Sequence, residues 1–128
     1  MDWLTWIGVA GAIAVFLGLK RLTLVGAETA REWLRKGALV IDVRSEQEFR
    51  GGHLSEAENI PLNRLRDEIT RLAPSKEQPL LLHCLSGTRS GMGTAMLKKM
   101  GYRNVFNLGS YGRAGKIVGE QCKAGKQD

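Results

Sequence analysis

Residues 80–90 read LLLHCLSGTRS. Pro79 opens a short apolar run, Leu80 to His83, of the kind that is buried on both faces of a parallel sheet. The loop from Cys84 to Arg89 leads straight into a helix predicted from Ser90 to Met100 and stopped by Gly101. A strand that hands a thiol to a helix amino terminus places it against unpaired amides and the positive end of a helix dipole, and both favour a thiolate. Gly87 permits a tight loop whose amides turn inward as an anion-binding nest, and Arg89 adds a fixed cation. An inert buried cysteine at a strand end is the competing reading. The glycine, the arginine and the helix start that follow Cys84 favour the thiolate.

Outward from this stretch, strand and helix signals alternate. Ala27 to Lys36 is amphipathic, with Ala30, Trp33 and Leu34 on one face and a stop at Gly37. Ala38 to Val43 (ALVIDV) reads as another buried strand, and Ser45 with Glu48 forms a capping-box pattern for a short helix ending at Gly51 and Gly52. Asn63 to Leu72 reads as a helix with Leu65, Ile69 and Leu72 inward. Val105 to Leu108 reads as a further strand, followed by a glycine-rich remainder of weak helical propensity. The fold class expected is α/β, a parallel sheet flanked by helices on both faces, in which ligands sit at the carboxyl ends of strands.

The chain has 128 residues, 43% hydrophobic and 25% charged, enough for one small domain. Its net charge of +6 hides two unlike pieces: residues 20–128 carry 19 Lys and Arg against 12 Asp and Glu, and residues 3–19 carry no charge at all. Those 17 residues, WLTWIGVAGAIAVFLGL, would rise roughly 25 Å as a helix. They are predicted to form one transmembrane helix preceding the domain. Only Asp2 precedes the apolar run, which disfavours a cleaved signal, although residues 25–27 resemble a weak cleavage site. Lys20 and Arg21 follow it, so the positive-inside rule orients residues 20–128 toward the cytoplasm, as a single-pass protein of a bacterial inner membrane. Ala10, Ala14 and Gly18 share a small-residue face suited to a homodimer of that helix. The organisation expected is an anchor over residues 1–21, a domain over 22–118 and a polar tail over 119–128.

Together, Asp42-Val43-Arg44, Glu48-Phe49, Gly52-His53-Leu54, Asn59-Ile60-Pro61 and the Cys84 loop resemble a single-domain rhodanese, a sulfurtransferase family, over about residues 22–118. The resemblance implies that Cys84 is catalytic and that Leu85, Ser86, Gly87, Thr88 and Arg89 cradle the substrate. It implies a double displacement: Cys84 takes the outer sulfur of an anionic donor such as thiosulfate, or of a persulfide, and holds it as a persulfide for an unknown nucleophilic acceptor. Neither a cofactor, a metal nor nucleic acid is expected. A non-catalytic rhodanese-like binding module at the membrane is the alternative. A phosphatase ranks lower, because phosphatases of this architecture use a Cys-x5-Arg loop and this loop is Cys-x4-Arg.

The residue types suit sulfur transfer. It needs a thiolate, compensation for the departing oxyanion and donors for the persulfide, which the amides of Leu85 to Arg89 and an Arg89 fork would supply. Residues 76–128 hold nine basic and three acidic residues, so the half with the loop is the basic half. Asp42 and Arg44 are expected in a polar network under the site, and His53 in a turn. Alternation points His83 away from the site. Cys122 is a bystander or a resolving thiol. The chain departs from the family pattern at Leu85, where a basic residue is common, at Glu56, where glycine is common, and at Gly109 to Arg113, where a tryptophan segment is usual.

Overall fold

The computed structural model describes residues 2–125, with the side chains of all but 20–22 and 123–125. The order is α1 (Trp3–Leu22), α2 (Ala27–Arg35), β1 (Leu39–Asp42), α3 (Glu46–Arg50), β2 (Ala57–Asn59), a 3-10 turn (Leu62–Arg64), α4 (Leu65–Leu72), β3 (Leu80–His83), α5 (Thr88–Lys99), β4 (Val105–Gly109) and α6 (Tyr111–Gly125). The strands form one sheet in the order β2-β1-β3-β4, and every pairing is parallel. The expected α/β architecture is therefore present.

Strand alternation sorts the interior into two layers. Ile41, Val43, Leu80, Leu82 and Cys84 face α4 and α5 with Leu65, Ile69 and Leu97. Val40, Leu81 and Leu108 face α2 and α6 with Ala30, Ala114 and Ile117. The α3 capping box forms as the sequence predicts, with Ser45 Oγ accepting from the Glu48 amide at 3.2 Å. β2 carries none of the usual strand signals, since Ala57-Glu58-Asn59 lacks β-branched and aromatic residues. It is an edge strand held by pairing to β1.

Two expectations need correction. The glycine-rich remainder is not weakly helical but forms α6, which runs through the predicted polar tail as far as Gly125. Packing decides this: Ala114, Ile117 and Val118 are buried against the sheet, and Glu120 pairs with Arg31 of α2. Among the described residues no helix is long and apolar enough to cross a membrane. The uncharged run of α1 is 17 residues, short of the about 20 that a typical core requires. The α1 residues from Trp3 to Leu19, Ala10, Ala14 and Gly18 among them, are exposed along the whole run, with no cover from the other described residues. The Lys20 and Arg21 side chains lie outside the described residues, as do those of residues 123–128.

Beneath the strand ends lies a buried ion pair. The Asp42 side chain is fully buried and that of Arg44 is 6% exposed. The Arg44 guanidinium donates to both Asp42 oxygens, at 2.8 to 3.0 Å, and to Gly52 O at 2.7 Å. Hydrogen bonding to Asp42 raises the Arg44 pKa over the opposing effect of burial. Asn59 Nδ2 donates to the Asp42 and Arg44 carbonyls, both at 3.0 Å, so β1, the Gly51-Gly52 turn and β2 are tied at one point. Arg44→Met would strand the Asp42 carboxylate. Urea denaturation should show a loss of about 3–5 kcal/mol, and a loss near zero would mean the pair is dispensable.

Candidate functional site

The Cys84 loop is shaped by its contacts with the end of β4. The parallel register jumps there, with Leu82 opposite Asn107 and His83 opposite Gly109, so one extra β4 residue bends that strand toward the loop. Cys84 N donates to Gly109 O at 3.2 Å, Tyr111 N donates to Leu85 O at 3.2 Å, and Ser86 bridges Ser110. Gly87, the N-cap of α5, has φ +96, and a Cβ on it would lie 3.2 Å from Gly109 Cα. Both the backbone conformation and the close approach of two chain segments select glycine at this position.

Cys84 is fully buried at the floor of this loop. The Gly87 amide donates to Cys84 Sγ at 3.0 Å, and Ser90 Oγ lies 3.5 Å away. Burial alone would push the thiol pKa up. Hydrogen bonds from the Ser90 hydroxyl and from the Ser90, Gly87 and Ser86 amides outweigh it, so the pKa lies below the ordinary thiol range. The Gly87 amide and the Ser90 hydroxyl thus stand against the sulfur.

Asn107, on β4, is a site residue that the sequence reading missed. Its Oδ1 accepts from Ser90 Oγ at 2.7 Å and from Gly109 N at 2.9 Å, while its Nδ2 donates to Gly87 O at 3.1 Å. One side chain therefore holds the cap of α5, the bent end of β4 and the serine beside the sulfur. The signal was a polar residue inside the apolar run VFNL, which is tolerated only where partners await it. Ser90 has one hydroxyl hydrogen and two acceptors. Because Gly109 N–H already satisfies Asn107 Oδ1, the hydroxyl is free to turn to an ionised sulfur without orphaning the amide oxygen.

Arg89 is placed differently from the expectation. Its guanidinium is engaged two-pronged by Glu48, at 2.6 and 3.0 Å, so the fork expected to meet an oxyanion meets a carboxylate of the same chain. That hydrogen bonding, against the effect of burial, holds Glu48 down at about 2. Glu48 also belongs to the α3 capping box, so the pair clamps α3 to the loop. Arg89 still feels the charge of Cys84, which adds to the rise in its own pKa. Thr88 contributes its hydroxyl as an acceptor for Ser86 Oγ at 3.4 Å.

The remaining candidates surround the site without joining it. His83 is wholly buried on the opposite sheet face from Cys84, as alternation predicts. Its Nε2 is 3.9 Å from Asp42 Oδ2, and neither ring nitrogen has a hydrogen-bond partner among the described residues. Burial lowers its pKa, so the ring is kept neutral. His53 stacks on Phe49, and its Nδ1 lies 2.8 Å from Phe49 O, closing the Gly51-Gly52 turn. Tyr111, in the segment that departs from the family pattern, packs its ring on the Arg44 guanidinium at 4.6 Å. Cys122 packs against the α2/α6 layer and lines a cavity with Leu34, Ala38 and Leu39 at the start of β1. Cys84 follows the end of β3 on the other face. The sheet stands between the two thiols, so Cys122 is not placed to resolve Cys84 through a disulfide.

Ser90→Ala tests the cradle. The pH midpoint of Cys84 alkylation by iodoacetamide should rise by about one to two units, as expected for losing one hydrogen bond to a charged acceptor. An unmoved midpoint would assign the whole effect to the amides.

Comparison with known proteins agrees with this geometry. A family model described as "Rhodanese-like domain" matches residues 26–111. The thiosulfate sulfurtransferase PspE of Escherichia coli is 35% identical over 69 residues, 54% of this chain and 66% of that protein. The uncharacterized protein YqhL of Bacillus subtilis is 40% identical over 81 residues, 63% of this chain and 62% of that protein. The chain thus spans just under two thirds of either relative. A solved structure of a rhodanese with anions from E. coli superposes with a TM-score of 0.58 at 31% identity, covering 60% of this chain and 91% of that one. The human single-domain sulfurtransferase TSTD1 gives a TM-score of 0.56 at 26% identity, over 70% of this chain and 89% of that one. With its cysteine loop cradled between β3, β4 and α5, the chain belongs to the rhodanese-like family.

Proposed function

We propose that the protein is a sulfurtransferase that carries a sulfane sulfur on Cys84. The observation that carries this reading is the buried Cys84 sulfur with the Gly87 amide at 3.0 Å and a pKa depressed by loop donors. With thiosulfate as donor, the Cys84 thiolate attacks the outer sulfur. The new S–S bond forms as the donor's S–S bond breaks, and sulfite leaves with the electron pair. The loop amides from Leu85 to Arg89 hold the anionic persulfide, and a nucleophilic acceptor then takes its outer sulfur and regenerates the thiolate.

The depth of Cys84 supports sulfur over phosphoryl transfer. A donor that presents a single terminal sulfur suits a fully buried thiol better than a tetrahedral phosphate, which needs a wider ring. Arg89 acts in this reading by fixing the loop through Glu48 and by lending its charge to the thiolate at short range.

The apolar residues of α1 belong, in the same reading, in lipid. Its apolar side chains run all round the helix and Trp3 is 72% exposed, a surface that is stable in water only when covered. Lys20 and Arg21 follow the run in the sequence, and basic residues in that place favour an orientation with the domain on the cytoplasmic side. Lipid contact by residues 3–19 does not require that α1 cross the bilayer.

Two experiments test these proposals. Full-length protein in detergent, treated with thiosulfate, should gain one sulfur on Cys84 by mass spectrometry, with no gain in Cys84→Ser. The rate should hold as pH falls below the ordinary thiol range, and decline only through the depressed Cys84 pKa, where the thiolate is protonated. Absence of the adduct with thiosulfate and with small persulfides would favour the binding module. In membrane fractions of expressing cells, the full chain should resist high-salt and alkaline washes and yield only to detergent. Release by salt alone would remove the lipid assignment.

A further inference from the structure

Gly91, Thr94, Ala95 and Lys98 recur at spacings of three and four along α5, so they share one face of that helix. The first three are small, and Gly91 comes so close to β4 that a Cβ on it would lie 3.3 Å from Asn107 Nδ2. With Thr23 and Asn107 they line a hollow of about 340 Å³. A second hollow, of about 180 Å³, shares Thr23, Thr94, Lys98 and Asn107 with it. Among the described residues that line the two, Lys98 is the one charged group. Lys98 and its neighbour Lys99 are exposed, and neither has an ion-pair partner among the described residues.

This hollow stands at the foot of α1. Thr23 follows the last residue of that helix, and the chain is pinned directly after it. Leu24 bridges Asn107 on the outer edge of β4, Val25 N donates to Asn107 O at 2.9 Å, and the Arg113 guanidinium donates to the Val25 and Leu108 carbonyls. Thr23 is also four residues beyond Leu19, where the uncharged run ends, a rise of about 6 Å. The headgroup layer on each side of a bilayer has that thickness, about 5–8 Å. With residues 3–19 in lipid, Thr23 therefore lies among headgroups, and a helix lying in the membrane plane would end in the same layer. The single residue between α1 and the bridge at Leu24 keeps the β4 edge there.

An occupant at this level meets an unpaired ammonium and no carboxylate. A choline headgroup brings its own cation, whereas a phosphodiester carrying an uncharged alcohol brings only the negative charge that Lys98 lacks. We propose that the hollow holds the phosphodiester headgroup of an anionic phospholipid, with the Lys98 ammonium as its counter-charge, and so seats the domain on the membrane by its β4 edge. The inference rests on the lipid reading of residues 3–19 and adds to it a headgroup site on the folded domain.

The test uses full-length protein reconstituted in vesicles of phosphatidylcholine alone or mixed one-to-one with phosphatidylglycerol. Acetylation of each lysine by a membrane-impermeant reagent is followed by fragmentation mass spectrometry. The mixed vesicles should slow acetylation of Lys98 about fivefold, as one ammonium meeting an anionic membrane surface allows. Lys99, on the same helix but outside the hollow, should keep its rate. Ala95→Glu, which puts a carboxylate into the hollow from an exposed helix position, should remove the difference between the two vesicles. An unchanged Lys98 rate, equal slowing of Lys98 and Lys99, or undiminished slowing in Ala95→Glu would overturn the headgroup site. The same slowing by inorganic phosphate added to phosphatidylcholine vesicles would also overturn it, in favour of a soluble anion. Flotation with the phosphatidylcholine vesicles reports on α1 separately, and failure to float would overturn the lipid reading beneath the proposal.

Discussion

A sulfur that is fully buried at the end of β3, and whose thiol pKa is nevertheless lowered by loop donors, depends on those donors to offset what it loses in hydration. That requirement governs the architecture around it. The donors are backbone amides of a loop that closes within a few residues, so Gly87 must adopt a positive φ and lie almost against Gly109. Gly109 in turn is delivered by the irregular register between β3 and β4. Asn107 joins the three parts through its amide group, and its bond to Ser90 keeps a hydroxyl poised beside the sulfur.

Two ion pairs hold this arrangement from outside, and they do different work. Asp42 with Arg44 is buried and multiply hydrogen-bonded, and its role is to fix the ends of β1 and β2 beneath the site. Such a pair specifies geometry more than it adds net stability, because its desolvation cost is large. Glu48 with Arg89 is half-exposed and spans α3 and the loop. Its consequence is chemical: both prongs of the Arg89 fork are already engaged by Glu48, so the hydrogen-bond donors nearest the sulfur are the Gly87 amide and the Ser90 hydroxyl. Leu85, at a position where a basic residue is common in the family, points the same way.

Much of the domain is legible in residue order. Periodic apolar positions mark α2 and α4, uninterrupted apolar runs mark β1 and β3, and the Ser45-Glu48 capping box marks α3, because each depends on neighbours close in the chain. β2 and α6 were not legible: the first exists because β1 offers it a ladder, and the second because the sheet buries Ala114, Ile117 and Val118 in a stretch whose glycines disfavour a helix.

The site divides along the same line. Cys84, its loop length and the following helix start are local features, so a cysteine set against loop amides could be read from residues 80–90. So could the orientation of His83 away from the sulfur, since alternation along a strand is a property of the backbone. The partner of Arg89, the part played by Asn107 and the separation of Cys122 from Cys84 could not. Each depends on which segments, distant in sequence, the parallel sheet and its crossovers bring together, and pairing between distant segments is a property of packing that no local pattern encodes.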